Sequence, residues 1–109
     1  MRTAPLATLA VALVGALALA SCGKPAPATY QVTLANMAYG PLPTDLRVGD
    51  SIEWINADIF QHSVTARDGS FDVDLPPKAH GRTVLTKPGQ IDFYCRYHPG
   101  MSGRLTVAS

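Results

Sequence analysis

Alternating apolar and polar residues dominate the chain from residue 29 onward. In the stretch TYQVTL, which begins at Thr29, every second residue is apolar. The stretches HSVTA (His62–Ala66) and GRLTVA (Gly103–Ala108) repeat this period of two. Such a period is typical of strands with one buried face, whereas no segment shows the spacing of an amphipathic helix. The pattern therefore predicts an all-β domain.

Two longer stretches each contain a pair of strands separated by a turn. DLRVGDSIEWIN reads as two short runs around Gly49–Asp50, and RTVLTKPGQIDFYC as two strands around Lys87–Gly89. Residues 67–81 show no clear pattern and are predicted to form a loop. Many short strands with regular turns favour a β-sandwich or barrel. We expect Trp54, Phe93 and Met37 to pack in its core.

A different pattern occupies the N-terminus. Arg2 precedes an almost entirely apolar run, Leu6–Ala20, which is short for a membrane span and suits a secretory signal. LASC, ending at Cys22, resembles a bacterial lipoprotein signal in which the cysteine is lipidated. We favour that interpretation over ordinary cleavage after Ala20, and an uncleaved anchor is the third alternative. All three place the domain outside the cytosol, and a lipoprotein would be periplasmic and membrane-anchored.

These patterns predict three segments: a signal peptide at residues 1–21, a lipidated cysteine and spacer at 22–28, and a folded domain at 29–109. The spacer is rich in proline and alanine and is predicted to be semi-rigid. A domain of about eighty residues has a marginal core, so a bound metal could stabilise it. Without Arg2 and Lys24, the domain has seven Lys and Arg residues against eight Asp and Glu. That balance gives no indication of nucleic-acid binding.

The stretch FYCRYHPGM, at residues 93–101, concentrates three metal donors. Phe93 and Cys95 share one face of a predicted strand, so the Cys95 side chain points inward. His98 and Met101 follow on a short loop that Pro99 and a glycine restrict. A thiolate, an imidazole and a thioether therefore lie within one preorganised loop.

His62 is the predicted fourth donor, because it alternates with apolar residues and so points inward. A buried imidazole needs a partner, so His62 is either hydrogen-bonded or a metal ligand. Two histidines, a cysteine and a weak methionine suit copper, whereas methionine is a poor zinc ligand. Cys95 could instead be a small buried residue or a disulfide partner, but the other cysteine, Cys22, lies at the signal junction. His80 is expected to be solvated.

These residues, together with VGDSIEWIN and the closing GRLTV, resemble the cupredoxins, and most closely the amicyanin branch of the plastocyanin-like group. The resemblance covers nearly all of residues 29–109. It implies a Greek-key β-sandwich with a type 1 copper site at one end. It also implies His62, Cys95 and His98 as near-planar ligands, with Met101 as the axial ligand.

The sequence departs from the amicyanin pattern at two places. Arg96 and Tyr97 replace the Thr-Pro pair between the cysteine and the histidine, which suggests a less rigid loop. Ser63 replaces the asparagine that often follows the first histidine, so fewer hydrogen bonds are expected to join the two ligand loops.

We therefore expect a monomeric one-electron carrier rather than an enzyme, since no ligand position is open to a substrate. A redox partner protein is expected to dock near Tyr97, His98 and Pro99. The alternative is a periplasmic copper-binding module for copper storage, delivery or sensing.

Overall fold

In the computed structural model, strands account for most of the residues after the N-terminal spacer. The structure describes residues 2–5, 10, 12, 15 and 25–109. The predicted signal peptide lies largely outside these residues, and Cys22 lies wholly outside them. Within the described part the strands are β1 Thr29–Ala35, β2 Ala38–Tyr39, β3 Leu46–Arg47, β4 Ser51–Asn56, β5 His62–Ala66, β6 Asp72–Leu75, β7 His80–Val84, β8 Gly89–Tyr94 and β9 Ser102–Ala108.

The strands form two sheets that pack on a shared apolar core. One sheet has the order β2-β1-β4-β7, and the other has the order β3-β9-β8-β5-β6. β1 and β4 are parallel, as are β3 and β9, while the other neighbours are antiparallel. The chain crosses between the sheets after β2, β3, β4, β6 and β7. This is the all-β sandwich that the alternation favours, with the Greek-key arrangement that the resemblance to the cupredoxins implies.

The core follows the predicted alternation. Ile52 and Trp54 of β4 are completely buried, and the Trp54 indole Nε1 donates a hydrogen bond of 3.0 Å to Thr83 Oγ1. Phe93 of β8 is also completely buried, and its ring centroid lies 5.5 Å from that of Trp54. Large aromatic side chains bury much of the apolar area in a domain of this size. The prediction that Trp54 and Phe93 are core residues is confirmed.

Two sequence-based expectations are wrong. Residues 67–81 are not all loop, because Asp72–Leu75 form β6, an edge strand paired with β5, and β7 begins at His80. Met37 is not a core residue: it is 38% exposed and occupies the β1–β2 turn with a φ of 61°. A two-residue hairpin turn directs its side chains away from the sheet interface, so the apolar character of Met37 does not bury it.

The directions of the strands define two poles of the sandwich. The register pairs Thr29 with Ser51 at one pole, whereas β1 and β4 both end at the other. β8 also ends at that second pole, while β5 and β9 begin there. His62 and Cys95 therefore lie at the pole opposite the point where the spacer enters the domain. We call these the ligand pole and the tether pole.

Among the described residues, none belongs to a helix long and apolar enough to span a membrane.

Candidate metal centre

Two loops meet at the ligand pole. One connects β4 to β5 through residues 57–61, and the other connects β8 to β9 through residues 95–101. The second loop is closed by its own backbone, because Cys95 N–H donates to Met101 O at 3.0 Å and Met101 N–H donates to His98 O at 2.8 Å. Cys95, His98 and Met101 are thereby fixed within one tight turn.

Cys95 and His62 face each other inside the pole. Both are completely buried, and Cys95 Sγ lies 3.8 Å from His62 Nδ1. Metal–sulfur and metal–nitrogen bonds of about 2.3 and about 2.0 Å, meeting at about 120°, would separate the two donors by about 3.7 Å. The observed spacing therefore suits two ligands of one ion, which supports the prediction that both side chains point inward.

The other ring nitrogen of His62 contacts a carboxylate. Asp58 Oδ2 lies 2.7 Å from His62 Nε2. The hydrogen bond from His62, followed by that from the Met37 backbone N–H, holds the pKa of Asp58 below its ordinary value. An ionised carboxylate only accepts hydrogen bonds, so in the neutral ring Nε2 is the nitrogen that carries the proton, and the lone pair of Nδ1 then faces Cys95.

His98 adjoins this pair from the second loop. Its ring centroid lies 5.1 Å from that of His62, at an interplanar angle of 68°. His98 Nε2 lies 3.1 Å from the carbonyl oxygen of Gln61. A carbonyl can only accept, so in the neutral ring Nε2 is again the protonated nitrogen and Nδ1 has the lone pair that a metal would need. The ring is half-buried, and Phe60 packs near it with ring centroids 6.3 Å apart.

Met101 supplies a buried side chain at the end of the loop, with only 5% of its surface exposed. Among the described residues, no group of three or more His, Cys, Asp or Glu side chains is arranged to hold a metal ion. The Cys95–His62 pair is therefore the closely spaced part of the site. A complete coordination sphere would need His98 and the thioether of Met101 as further donors.

Ser63 joins the two loops more extensively than the sequence suggests. Its backbone N–H donates to Cys95 Sγ at 3.4 Å, and its hydroxyl oxygen accepts from Arg96 N–H at 2.9 Å. Tyr39 Oη donates to the Ser63 carbonyl at 2.6 Å from the opposite sheet. The single residue that follows His62 therefore connects the strand of His62 to the Cys95 loop at two atoms.

Arg96 and Tyr97 also have partners, which argues against the expected loss of rigidity. Arg96 forms ion pairs with Asp72 and Asp74 of β6. Tyr97 Oη donates to Asp74 Oδ1 at 2.8 Å. Because Gln61 Nε2 also donates to Asp74, at 3.0 Å, this carboxylate bridges both loops of the pole. The hydrogen bonds to β6 thus restrain the loop where a proline is absent.

Two further residues of the site, Asp58 and Asn56, were not predicted from the sequence. Asn56 is almost completely buried; its Nδ2 donates to Phe60 O at 2.8 Å and its Oδ1 accepts from Asp58 N–H at 2.9 Å. These bonds shape the loop that carries the Asp58 carboxylate to His62. The available signal was an acidic residue four positions before an inward histidine, which alone is weak.

His80 lies outside the centre. Its side chain is 56% exposed, and its Nδ1 lies 3.0 Å from Glu53 Oε1 on the neighbouring strand. The expectation that His80 is solvated rather than part of the site is confirmed.

Comparison with known proteins identifies the family. The model of the cupredoxin-like domain matches residues 6–107. The chain is 29% identical to a plastocyanin of Synechococcus sp., over 87% of this chain and 85% of that protein. It is 31% identical to the methylamine utilization protein MauL of Methylorubrum extorquens, over 86% of this chain and 87% of that protein. Reduced amicyanin with a proline-to-phenylalanine substitution superposes with a TM-score of 0.64 at 26% identity, over 72% of this chain and 81% of that chain. The chain therefore belongs to the cupredoxin-like domain family.

Proposed function

We propose that this protein is a blue-copper, one-electron carrier in which His62, Cys95, His98 and Met101 bind a single copper ion. The observation that carries the proposal is the 3.8 Å approach of Cys95 Sγ to His62 Nδ1, both completely buried. Membership of the cupredoxin-like family and the similarity to plastocyanin and amicyanin support the same function. Two imidazoles, one thiolate and a weak thioether are the donors of blue-copper electron-transfer sites.

The arrangement of the chain's own groups suits electron transfer rather than catalysis. A bound copper ion would supply the one-electron chemistry, cycling between Cu(I) and Cu(II). The residues around it would exclude water, hold the two histidines in one tautomer and donate a backbone hydrogen bond to the sulfur. Since both loops are fixed by hydrogen bonds, the donors would move little when the charge of the ion changes.

Titration of the domain from Thr29 with Cu(II) tests the proposal. One equivalent should produce an intense blue thiolate-to-copper band, which should disappear on reduction and return on reoxidation over many cycles. A protein that binds no copper, or binds it without the band, would contradict the assignment of Cys95 as a ligand.

A partner protein is proposed to dock on the surface around His98. Ile59 is 75% exposed, Phe60 and Tyr97 are about half exposed, and Pro99 is also exposed. A small, mostly apolar surface suits brief encounters between redox proteins. Replacing Pro99 with glutamate should slow electron transfer to the partner while leaving the copper band unchanged. The matched control replaces Val84, which is exposed on β7 at the tether pole, with glutamate, and should change neither the electron-transfer rate nor the copper band. Equal electron-transfer rates for the two variants would contradict this docking site.

Copper delivery is the second candidate function, and Met37 is the observation that favours it. This thioether is 38% exposed, and the Met37 backbone N–H lies 3.0 Å from the carboxylate that contacts His62. An exposed thioether on a turn whose backbone contacts Asp58 could assist exchange of Cu(I). With a competing Cu(I) acceptor present, a carrier keeps its copper, whereas a delivery protein transfers it to the acceptor. If Met37 assists delivery, replacing Met37 with leucine should slow that transfer.

Anchoring through a lipidated Cys22 is proposed for the full-length chain, with the domain held in the periplasm. The position of the tether pole supports this arrangement, because Ala28 enters the domain there through a 2.8 Å hydrogen bond from its N–H to Asp50 Oδ1. The ligand pole would then face away from the membrane. A Cys22→Ser variant should move from the membrane fraction to the soluble periplasmic fraction; unchanged membrane retention would rule out the lipid.

A further inference from the structure

The carboxylate of Asp58 is held by three hydrogen bonds from two parts of the chain. Asn36 N–H donates to Oδ1 at 2.8 Å, Met37 N–H donates to Oδ2 at 3.0 Å, and His62 Nε2 lies 2.7 Å from Oδ2. The side chain is only 13% exposed. Such a carboxylate is fixed in position and poorly screened by water, so it acts on His62 as a nearly immobile negative charge.

The turn that supplies two of these bonds is conformationally unusual. Asn36 and Met37 have φ values of 53° and 61°, in the left-handed region. Asparagine tolerates this conformation, but methionine does so at a cost in free energy. The turn directs both backbone N–H groups at Asp58, and those two hydrogen bonds offset part of the strain. Holding the carboxylate is therefore a property of the β1–β2 turn as well as of the β4–β5 loop.

We propose that Asp58 is a positioning residue for the metal centre, fixing the tautomer of His62 and lowering the reduction potential of the bound copper. This inference rests on the proposed function, because it assumes that His62 is a copper ligand through Nδ1.

The direction of the effect follows from charge. A carboxylate at Nε2 increases the electron density of the ring and hence the donor strength of Nδ1. It also places a negative charge near the ion, which stabilises the doubly charged state more than the singly charged state. Both effects favour Cu(II), and a site that favours Cu(II) has a lower reduction potential.

The test compares Asp58→Asn with Asp45→Asn in the copper-loaded protein. Both variants lose one negative charge, but Asp45 is exposed and lies next to β3 at the tether pole. Asp58→Asn should lower the Cu(II) affinity about 10- to 100-fold, with a smaller loss for Cu(I). Each tenfold difference between the two losses raises the midpoint potential by about 59 mV. Asp58→Glu, which keeps the charge, should recover part of the shift. A potential in Asp58→Asn equal to that of Asp45→Asn would overturn the proposal.

A measurement without copper makes the inference independent of the loaded site. In the metal-free wild-type protein, the nitrogen-15 shifts of the His62 ring should show the Nε2–H tautomer, and a predominant Nδ1–H tautomer would overturn the proposal even if Asp58→Asn fails to fold. Absence of copper binding by the wild type would instead refute the proposed function, so the two failures can be told apart.

Discussion

Cys95 is placed one residue beyond the end of β8, where the inward face of the strand meets the ligand pole. The pairing of its N–H with Met101 O keeps the chain from turning outward at this point. Its sulfur accepts a hydrogen bond from Ser63 N–H and lies against His62 Nδ1. Cys95 is the one cysteine among the described residues, so no other described side chain could supply a thiolate to the proposed site.

Replacing Cys95 with serine should abolish the blue band and lower the Cu(II) affinity by more than about 100-fold, beyond the usual effect of losing an outer-shell partner. The oxygen is a harder donor and gives no thiolate-to-copper transition. The measurement is a Cu(II) titration followed by absorption spectroscopy. His80→Ala, which removes an exposed histidine bonded to Glu53, serves as the control and should leave both properties unchanged. Persistence of the band in Cys95→Ser would contradict the ligand assignment.

At this scale the sequence predicts which way side chains face but not which atoms they meet. The inward positions of His62 and Cys95 follow from a period of two, and both side chains are completely buried. The contact between His62 and Asp58 could not be predicted, because it depends on the course of the β4–β5 loop and on hydrogen bonds made by Asn56 and the β1–β2 turn.

The packing between β8 and β9 supports the strand that leads to Cys95. Phe93 lies directly opposite Gly103 in the ladder, and the Phe93 ring covers the space that a side chain at 103 would fill. The ring is held on its other sides by Tyr39 and Trp54, with centroids 4.9 and 5.5 Å away. A glycine is therefore required at this point by packing rather than by backbone conformation.

Replacing Gly103 with alanine should destabilise the metal-free domain by about 1–3 kcal/mol, because the added methyl group would clash with a ring that has no room to move. Urea unfolding at neutral pH measures this change. Gly100→Ala is the matched control, since nothing lies within 4 Å of a Cβ placed there, and its effect should stay within about 0.5 kcal/mol. Equal stability of the two variants would show that Phe93 can repack.

Strands that alternate apolar and polar residues are predictable from the sequence, whereas the edge strand β6 is not. The strands β1, β4, β5, β8 and β9 correspond to patterns of period two in the sequence. β6 contains two aspartates, which are uncommon in strands, and it lies at a sheet edge where charged residues are tolerated. It forms because its backbone pairs with β5, and that pairing depends on the tertiary structure rather than on the local sequence.

The proposed metal centre and the point where the spacer enters the domain lie at opposite poles of the molecule. The spacer meets the domain at the tether pole, where Asp50 is buried and accepts hydrogen bonds from Ala28 N–H and Arg47 N–H. Those two bonds, that from Ala28 first, hold the pKa of Asp50 below its ordinary value. This carboxylate stabilises the fold without contact with any residue of the ligand pole.

Acidification should therefore weaken the domain in a way that depends on Asp50. A depressed pKa contributes stability that is fully present above the unfolded-state value of about 3.9 and is lost as the pH falls through the lower folded-state value. Urea unfolding of the metal-free protein at pH 7, 4 and 3 should show wild type losing more stability below about pH 4 than Asp50→Asn does. Parallel losses in the two proteins would show that Asp50 makes no pH-dependent contribution.

The central proposal is that one copper ion stays bound to the same side chains in both oxidation states. X-ray absorption at the copper edge, recorded on the oxidised and the reduced protein, tests this most directly. We expect one short copper–sulfur distance and two nitrogen neighbours in both states, with little change between them. A spectrum with no short sulfur neighbour, or with a different number of nitrogen neighbours after reduction, would contradict a carrier built on His62, Cys95 and His98.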